Sequence, residues 1–204
     1  SYHHTLDASP DPALFTMHAH EQHEIYYFVS GRVSYIVEGN EYRLEGGSLL
    51  AIRAGEVHKA NVHSGCAYER MALNFDSELL RALDPHGLLE SPFLDRPLGA
   101  GNLYPRALMR SGFVGECMRN MERTGSVEER RIALLSNLYP ILAEIYRAFS
   151  QGGARTAPEP ADRMQEVIAY INEHLPEELS LDLLSALFYL SKPQLSRRFK
   201  QATG

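Results

Sequence analysis

The sequence predicts an α+β chain in which an N-terminal antiparallel β-barrel or sandwich with flanking helices precedes an all-α unit. Three features carry that expectation. From His23 to Phe75, short segments rich in Val, Ile, Tyr and Phe are separated by turn residues, the pattern of several antiparallel strands. After Asp76 the apolar residues recur at the three-and-four spacing of helices. The run QGGARTAPEP, from Gln151 to Pro160, holds two prolines and little to bury, so it reads as a linker before a second helical unit. The expected bounds are 1–100 for the β unit, 101–150 for a helical pair, 151–160 for the linker and 161–204 for the last unit.

The strand candidates are HEIYYFVS, RVSYIVEG, NEYRLE, SLLAIRAG, the run from Val57 to Val62, and AYERMALNF. Val33, Tyr35 and Val37 alternate with Ser34 and Glu38 as in a half-buried strand, Gly39-Asn40 suits a tight hairpin turn, and Gly46-Gly47 marks a second turn. His3 and His4 are expected in a mobile terminus, and His23 and His63 at the surface or in a pocket. Helices are expected over SELLRAL, capped by Asp76 or Ser77, then from Pro105 to Glu122, with Leu108, Met109, Phe113, Cys117, Met118 and Met121 on one stripe. A longer one from Val127 to Phe149 carries a seam of Ile132, Leu135, Leu138, Tyr139, Leu142, Ile145, Tyr146 and Phe149, bent at Pro140.

Composition limits the function classes. With 44% hydrophobic and 23% charged residues the chain is an ordinary globular sequence, and no apolar run approaches the ~18 residues that would span a bilayer. The N-terminus lacks a basic-then-apolar signal, so a cytoplasmic location and no membrane partner are expected. Cys66 and Cys117 have no metal or redox spacing and read as reduced structural residues. A net charge of −6 excludes a protein that coats nucleic acid over its whole surface, yet Lys192, Arg197, Arg198 and Lys200 concentrate positive charge in a final stretch without acids. The chain starts without Met and stops just after a helix signal, which reads as a processed or trimmed sequence.

Two constellations carry chemistry. In the first, His18 and His20 stand two apart and would share a face of a strand, with Glu24 and His58 able to join them inside a barrel. Three imidazoles and a carboxylate suit a divalent transition metal such as Zn, Ni, Mn or Fe; the alternative is a polar pocket lining. Tyr26, Tyr27, Phe28, Tyr35 and Tyr42 are candidates to line a cavity, and the expected ligand set is His18, His20, Glu24, His58 and Tyr35. HAHEQHEIYYFVSG and GSLLAIRAGEVH resemble the two motifs of the cupin superfamily, whose barrel is a double-stranded β-helix. Arg53 stands where cupins usually have proline, and Asn61 falls one residue before the usual asparagine.

In the second constellation, Met164, Val167, Ile168, Ile171 and Leu175 share a helical face that Pro176 ends. Ser180 caps a helix with Leu184, Leu187 and Phe188, and Ser191 caps a third with Pro193 at its start. On that third helix Leu195, Phe199 and Ala202 would face inward and Pro193, Ser196, Arg197, Lys200 and Gln201 outward. Arg197 is the candidate for reading a guanine in the major groove, while Lys192, Arg198 and Lys200 suit phosphates. LSLDLLSALFYLSKPQLSRRFKQATG resembles the first helix-turn-helix of the AraC family, with Tyr189 where glycine is common in the turn and Ser185 where alanine is common. That resemblance puts the groove-facing residues on Pro193, Ser196 and Arg197. The family carries two such motifs in tandem, and the sequence ends after one.

The order of units resembles an AraC-type regulator, which implies a cupin barrel that binds a small-molecule effector such as a sugar, a homodimerising seam, and a DNA-binding unit that requires the full-length protein. No catalytic residues are expected in that reading. The alternative is a metal-dependent cupin enzyme, a dioxygenase or isomerase; a third reading is a ligand-binding cupin whose last helices serve assembly.

Overall fold

The structure is a computed structural model that describes residues 1–63, 65–81, 84–122, 125–152 and 163–203. Eight strands are present among them: β1 (Tyr2–Asp7), β2 (His23–Ser30), β3 (Val33–Val37), β4 (Asn40–Arg43), β5 (Leu49–Ile52), β6 (His58–Val62), β7 (Tyr68–Phe75) and β8 (Leu103–Tyr104). They form two antiparallel sheets, one of five strands in the order β1-β7-β2-β5-β8 and one of three in the order β4-β3-β6. Alternation along β2 sends its side chains to two places. Tyr26 and Phe28 share a core with Val33, Tyr35 and Val62 of the three-stranded sheet, whereas Ile25 packs outward.

That outer face is covered by helices. The described helices are α1 (Ser77–Arg81), α2 (Ser91–Leu94), α3 (Phe113–Asn120), α4 (Val127–Ser150), α5 (Arg163–Glu173), α6 (Leu181–Phe188) and α7 (Lys192–Thr203). Leu138, Leu142 and Ile145 of α4 pack with Val114 and Met118 of α3 onto Ile25, Leu49, Met71 and Leu73. Half of the seam expected to face a second copy therefore covers the chain's own sheet. Ser126 begins α4 with a capping box, its hydroxyl accepting from the Glu129 amide and the Glu129 carboxylate accepting from the Ser126 amide. The helix continues through Pro140.

Four expectations need correction. The hairpin turn between β3 and β4 is Glu38-Gly39, not Gly39-Asn40: both residues have positive φ, 47° and 77°, as a two-residue turn matched to strand twist requires. The helix expected from Pro105 to Glu122 is a short turn at Arg106–Leu108 followed by α3, because Gly112 at φ 69° interrupts it. The N-terminus is an edge strand paired with β7, and His4 bonds Glu69 at 2.8 Å. His23 is buried, held by Ser77, Glu90 and the Ala54 amide, and His63 alone of the two is exposed.

A buried ion pair fixes the loops at one end of the sheets. Arg96 donates to both oxygens of Glu56 at 2.7 and 2.9 Å, and Asn102 and the amides of Arg53 and Gly99 donate to the same carboxylate. Those hydrogen bonds and the guanidinium hold the Glu56 carboxyl below its usual range against the upward push of burial. Arg53, which stands in the place of a proline, clamps the carbonyls of Phe93, Leu94 and Arg96.

The last unit packs α5, α6 and α7 around Val167, Leu184, Leu190 and Leu195. Ser180 caps α6 through the Leu183 amide, and Ser191 accepts from the Gln194 amide at the start of α7. Tyr189 ends α6 in the left-handed conformation, φ 56° and ψ 39°. Most of the expected linker, residues 153–160, and the side chains of Gln201 and Ala202 lie outside the described residues.

Candidate functional site

The three histidines converge, though not by the route that their spacing suggests. His18 lies outside the named strands and pairs with His58 of β6 through an isolated bridge, each amide donating to the other's carbonyl at 3.1 and 2.9 Å. His20 follows in a loop that returns the chain to β2, where Glu24 projects between the sheets. Possible ligand atoms of His18, His20 and His58 all lie within 4.8 Å of one another.

Each ring is oriented from behind. Nδ1 of His18, His20 and His58 lies 3.0, 2.8 and 2.7 Å from the carbonyls of Thr16, Gln22 and Glu56. A carbonyl only accepts, so each Nδ1 carries a proton, and Nε2 is the nitrogen left to face the cluster. His20 Nε2 lies 3.0 Å from Glu24 Oε2, and Asn74 donates to that same oxygen at 3.2 Å. His58 is fully buried, yet its Nε2 has no hydrogen-bond partner among the described residues and stands 3.7 Å from Glu24 Oε2.

A buried imidazole nitrogen with no partner costs on the order of 1–3 kcal/mol, and a bound ion would remove that cost. The atoms that converge are three imidazole nitrogens, a set that fits a divalent transition metal, whereas Glu24 stands beside His20 and outside that group. Burial pushes the Glu24 carboxyl up, but the hydrogen bond from His20 and the imidazoles beside it outweigh burial and hold it well below the usual carboxylate range; the Glu24 hydrogen bond in turn raises His20.

Beside this cluster a cavity of about 250 Å³ opens between the sheets, lined by His18, Glu24, Tyr26, Tyr35, Tyr68 and Arg70 among others. Tyr26 and Tyr68 share a hydroxyl–hydroxyl bond, and Tyr26 packs on Tyr35 with ring centroids 4.6 Å apart. Arg70 lies 4.5 Å over the Tyr68 ring and donates to Asp7 of β1 at 2.7 Å. Of the expected lining aromatics, Tyr26 and Tyr35 face this cavity, Tyr27 lines a cleft on the outer face, and Tyr42 donates to the Gly99 carbonyl. Sequence reading missed Arg70, Tyr68 and Asn74. Their shared parity on β7 was the available signal.

The second set of candidates lies on α7. Lys192, Pro193, Ser196, Arg197 and Lys200 are exposed and Arg198 is half-buried, while Leu195 is buried beneath them. Pro193, Ser196, Arg197 and Lys200 fall at the three-and-four spacing of one helical face. Arg197 donates to Gln194 one turn earlier, and Lys192 pairs with Asp182 of α6 at 2.6 Å. The unit touches the β region: the Ser191 amide donates to Glu38 at 3.1 Å, and Lys59 of β6 lies 4.5 Å over the Tyr189 ring.

Residues 5–139 match the family model described as the AraC-like ligand binding domain. The HTH-type transcriptional activator RhaS of Klebsiella pneumoniae (strain 342) is 27% identical over 198 residues, covering 94% of this chain and 68% of that protein. RhaS of Escherichia fergusonii is 24% identical over 199 residues, 93% of this chain and 67% of that protein. The crystal structure of the AraC-like transcriptional activator CuxR aligns with 91% of this chain and 63% of its own at 17% identity, with a TM-score of 0.44. A salicylate 1,2-dioxygenase from Pseudaminobacter salicylatoxidans aligns with 41% of this chain and 23% of its own at 18% identity, with a TM-score of 0.33.

Proposed function

The chain belongs to the family of AraC-like ligand-binding domains, and from that membership we propose that it is the effector-sensing part, with one attached helix-turn-helix, of a DNA-binding transcription regulator. The observation that carries the reading is the presence in one chain of a polar cavity between two sheets and a helix whose exposed face is cationic. The RhaS relatives bear the name of HTH-type transcriptional activators, which agrees with it.

In this reading the cavity takes a small polyhydroxylated molecule such as a sugar. Tyrosine rings offer apolar faces, while the Tyr68 hydroxyl, Arg70, Glu24 and His18 offer a few converging polar groups. His18, His20, Glu24 and His58 would hold a divalent metal. Such an ion would supply a fixed positive centre beside the cavity, and the protein's own part is to aim the three Nε2 atoms and keep Glu24 ionised.

On α7, Arg197 is assigned to base readout and Lys192, Arg198 and Lys200 to phosphates, with Pro193 and Ser196 on the groove-facing side. Homodimerisation is assigned to the N-terminal half of α4, where Val127 and Ile132 are 67% and 66% exposed. Effector binding acts by favouring one arrangement of the helical unit over another.

The test is selection of DNA sequences from a random duplex pool, followed by binding of Arg197→Ala and Lys192→Ala variants. The first should relax preference at one base position, and the second should weaken all sequences alike and lower the salt dependence. Failure to enrich any sequence, with or without candidate effectors, would sink the regulator reading. The orphaned His58 Nε2 keeps a second reading, a metal-dependent cupin enzyme, which a turnover screen of the metal-loaded protein would reveal.

A further inference from the structure

We propose that the outer face of the five-stranded sheet carries a second ligand site, separate from the cavity between the sheets, that takes a phosphate group. A cleft of about 290 Å³ lies there, lined by Tyr27, Gly47, Arg106, Arg110, Gly112 and Arg119 among others, with no acidic side chain lining it among the described residues. The chain as a whole has a charge of −6, so three guanidinium groups around one cleft run against its average.

The three arginines differ in their bonding. Arg110 is held: its amide and Nε donate to the two oxygens of the buried Glu144, and its guanidinium lies 3.8 Å over the Phe113 ring. Glu144 is shared with Arg147, so this one carboxylate faces two cations. The side chains of Arg106 and Arg119 make no hydrogen bond or ion pair with the described residues, and neither does the Tyr27 hydroxyl. Their side-chain donors therefore have no acceptor among the described residues. A tetrahedral dianion offers several acceptor oxygens for guanidinium groups arriving from different directions, which a single carboxylate does less well.

The backbone is shaped to admit these side chains. Gly47 has φ +90°, and a Cβ there would lie 3.1 Å from Cδ and 3.2 Å from Cγ of Arg106. A Cβ on Gly115 would lie 2.9 Å from the Tyr27 hydroxyl, so glycine at that position leaves the hydroxyl room beside the first turn of α3. No side chain caps that turn, and Gly112 and Val114 open it onto the same cleft. Tyr26 and Tyr27 are neighbours on β2 and point to opposite sides, Tyr26 to the cavity between the sheets and Tyr27 to the cleft.

The test is calorimetric titration of the whole chain with inorganic phosphate and with glycerol phosphate, at constant ionic strength maintained with chloride. Both are expected to bind saturably. The Arg106→Ala/Arg119→Ala double variant should weaken binding by at least about tenfold, because charge-assisted hydrogen bonds are lost. Both side chains are exposed and bond none of the described residues, so the double variant should keep its fold; Arg43→Ala, which removes an exposed arginine on β4, should bind as the parent does. Tighter binding of the ester assigns a phosphorylated small molecule, and equal binding assigns free phosphate; either supports the site. No saturable binding of either probe, undiminished binding in the double variant, or a loss that follows Arg70→Ala instead would overturn it. DNA selection and effector binding in the inner cavity are separate readouts, so the regulator reading stands or falls independently.

Discussion

The carboxylate of Glu38 joins the first β-hairpin to the start of the terminal helix: Oε2 accepts from the Ser191 amide at 3.1 Å while Oε1 accepts from the Val57 amide at 3.0 Å. Glu38 is fully buried and has positive φ, so the turn that places it is costly for a non-glycine residue. Its bonds reach from the turn after β3 to the residue before α7, across 153 positions of sequence.

Replacing Glu38 with Gln removes the charge but keeps the shape, and one amide then faces a donor group instead of an acceptor. The expected outcome is faster hydrogen exchange at Ser191 and the first turn of α7, with the amides of β2 and β7 unchanged. Unchanged exchange at Ser191 would mean that the contact does not hold the helix.

His58 offers the sharpest test of the histidine cluster. Wild-type protein stripped of metal should bind one Zn²⁺ per chain, and His58→Ala should weaken that binding by at least about tenfold, the size of effect seen when a ligand's surroundings are lost. His63→Ala, which alters an exposed ring outside the cluster, serves as the control and should leave affinity unchanged. Equal affinities in all three would remove the metal assignment.

How much of this was readable depends on what kind of force fixes each element. β2 and β3 announce themselves because their burial alternates or saturates with β-branched and aromatic residues, and Ser180 and Ser191 mark helix starts by local capping. β1 does not, because it is an edge strand whose residues are largely exposed and whose order comes from pairing with β7. Gly112 is by local rule only a mild cost within a helix, and the positive φ with which it breaks the run is not set by local spacing. The site divides in the same way. His18, His20, Glu24 and His58 were legible as a motif, but Arg70 and Asn74 enter only through the register of β7 against β2, which pairs Glu24 with Asn74. Long-range register is not written in local spacing.

Acid should loosen the contact between α4 and the loop before α3. The hydrogen bond from Arg147 lowers the Glu144 carboxyl to about 2 from 4.5, with burial opposing and the Arg110 amide and both guanidinium charges assisting. Because the folded value lies below the unfolded one, its stabilisation is complete above the unfolded value and is lost as pH falls toward about 2. Urea midpoints measured from pH 5 downward should therefore fall less steeply in Glu144→Gln than in the parent. Parallel curves would show that Glu144 contributes no pH-dependent stability.

Tyr189 supplies the last test, because two opposing terms of similar size meet there. Its left-handed conformation costs a non-glycine residue roughly 1 kcal/mol, which glycine would relieve. Against that, Tyr189 places its ring 4.5 Å from the Lys59 ammonium, both residues being half-buried, a contact that stabilises by about 1 kcal/mol. Tyr189→Gly should accordingly change stability by less than about 1 kcal/mol in denaturant unfolding, since relief and loss nearly cancel. The two terms separate in a double-mutant cycle: Lys59→Ala should destabilise the parent and have little effect in the Tyr189→Gly background. If Lys59→Ala costs the same in both backgrounds, the ammonium and the ring are neighbours without coupling, and the tyrosine stands in a glycine position without that compensation.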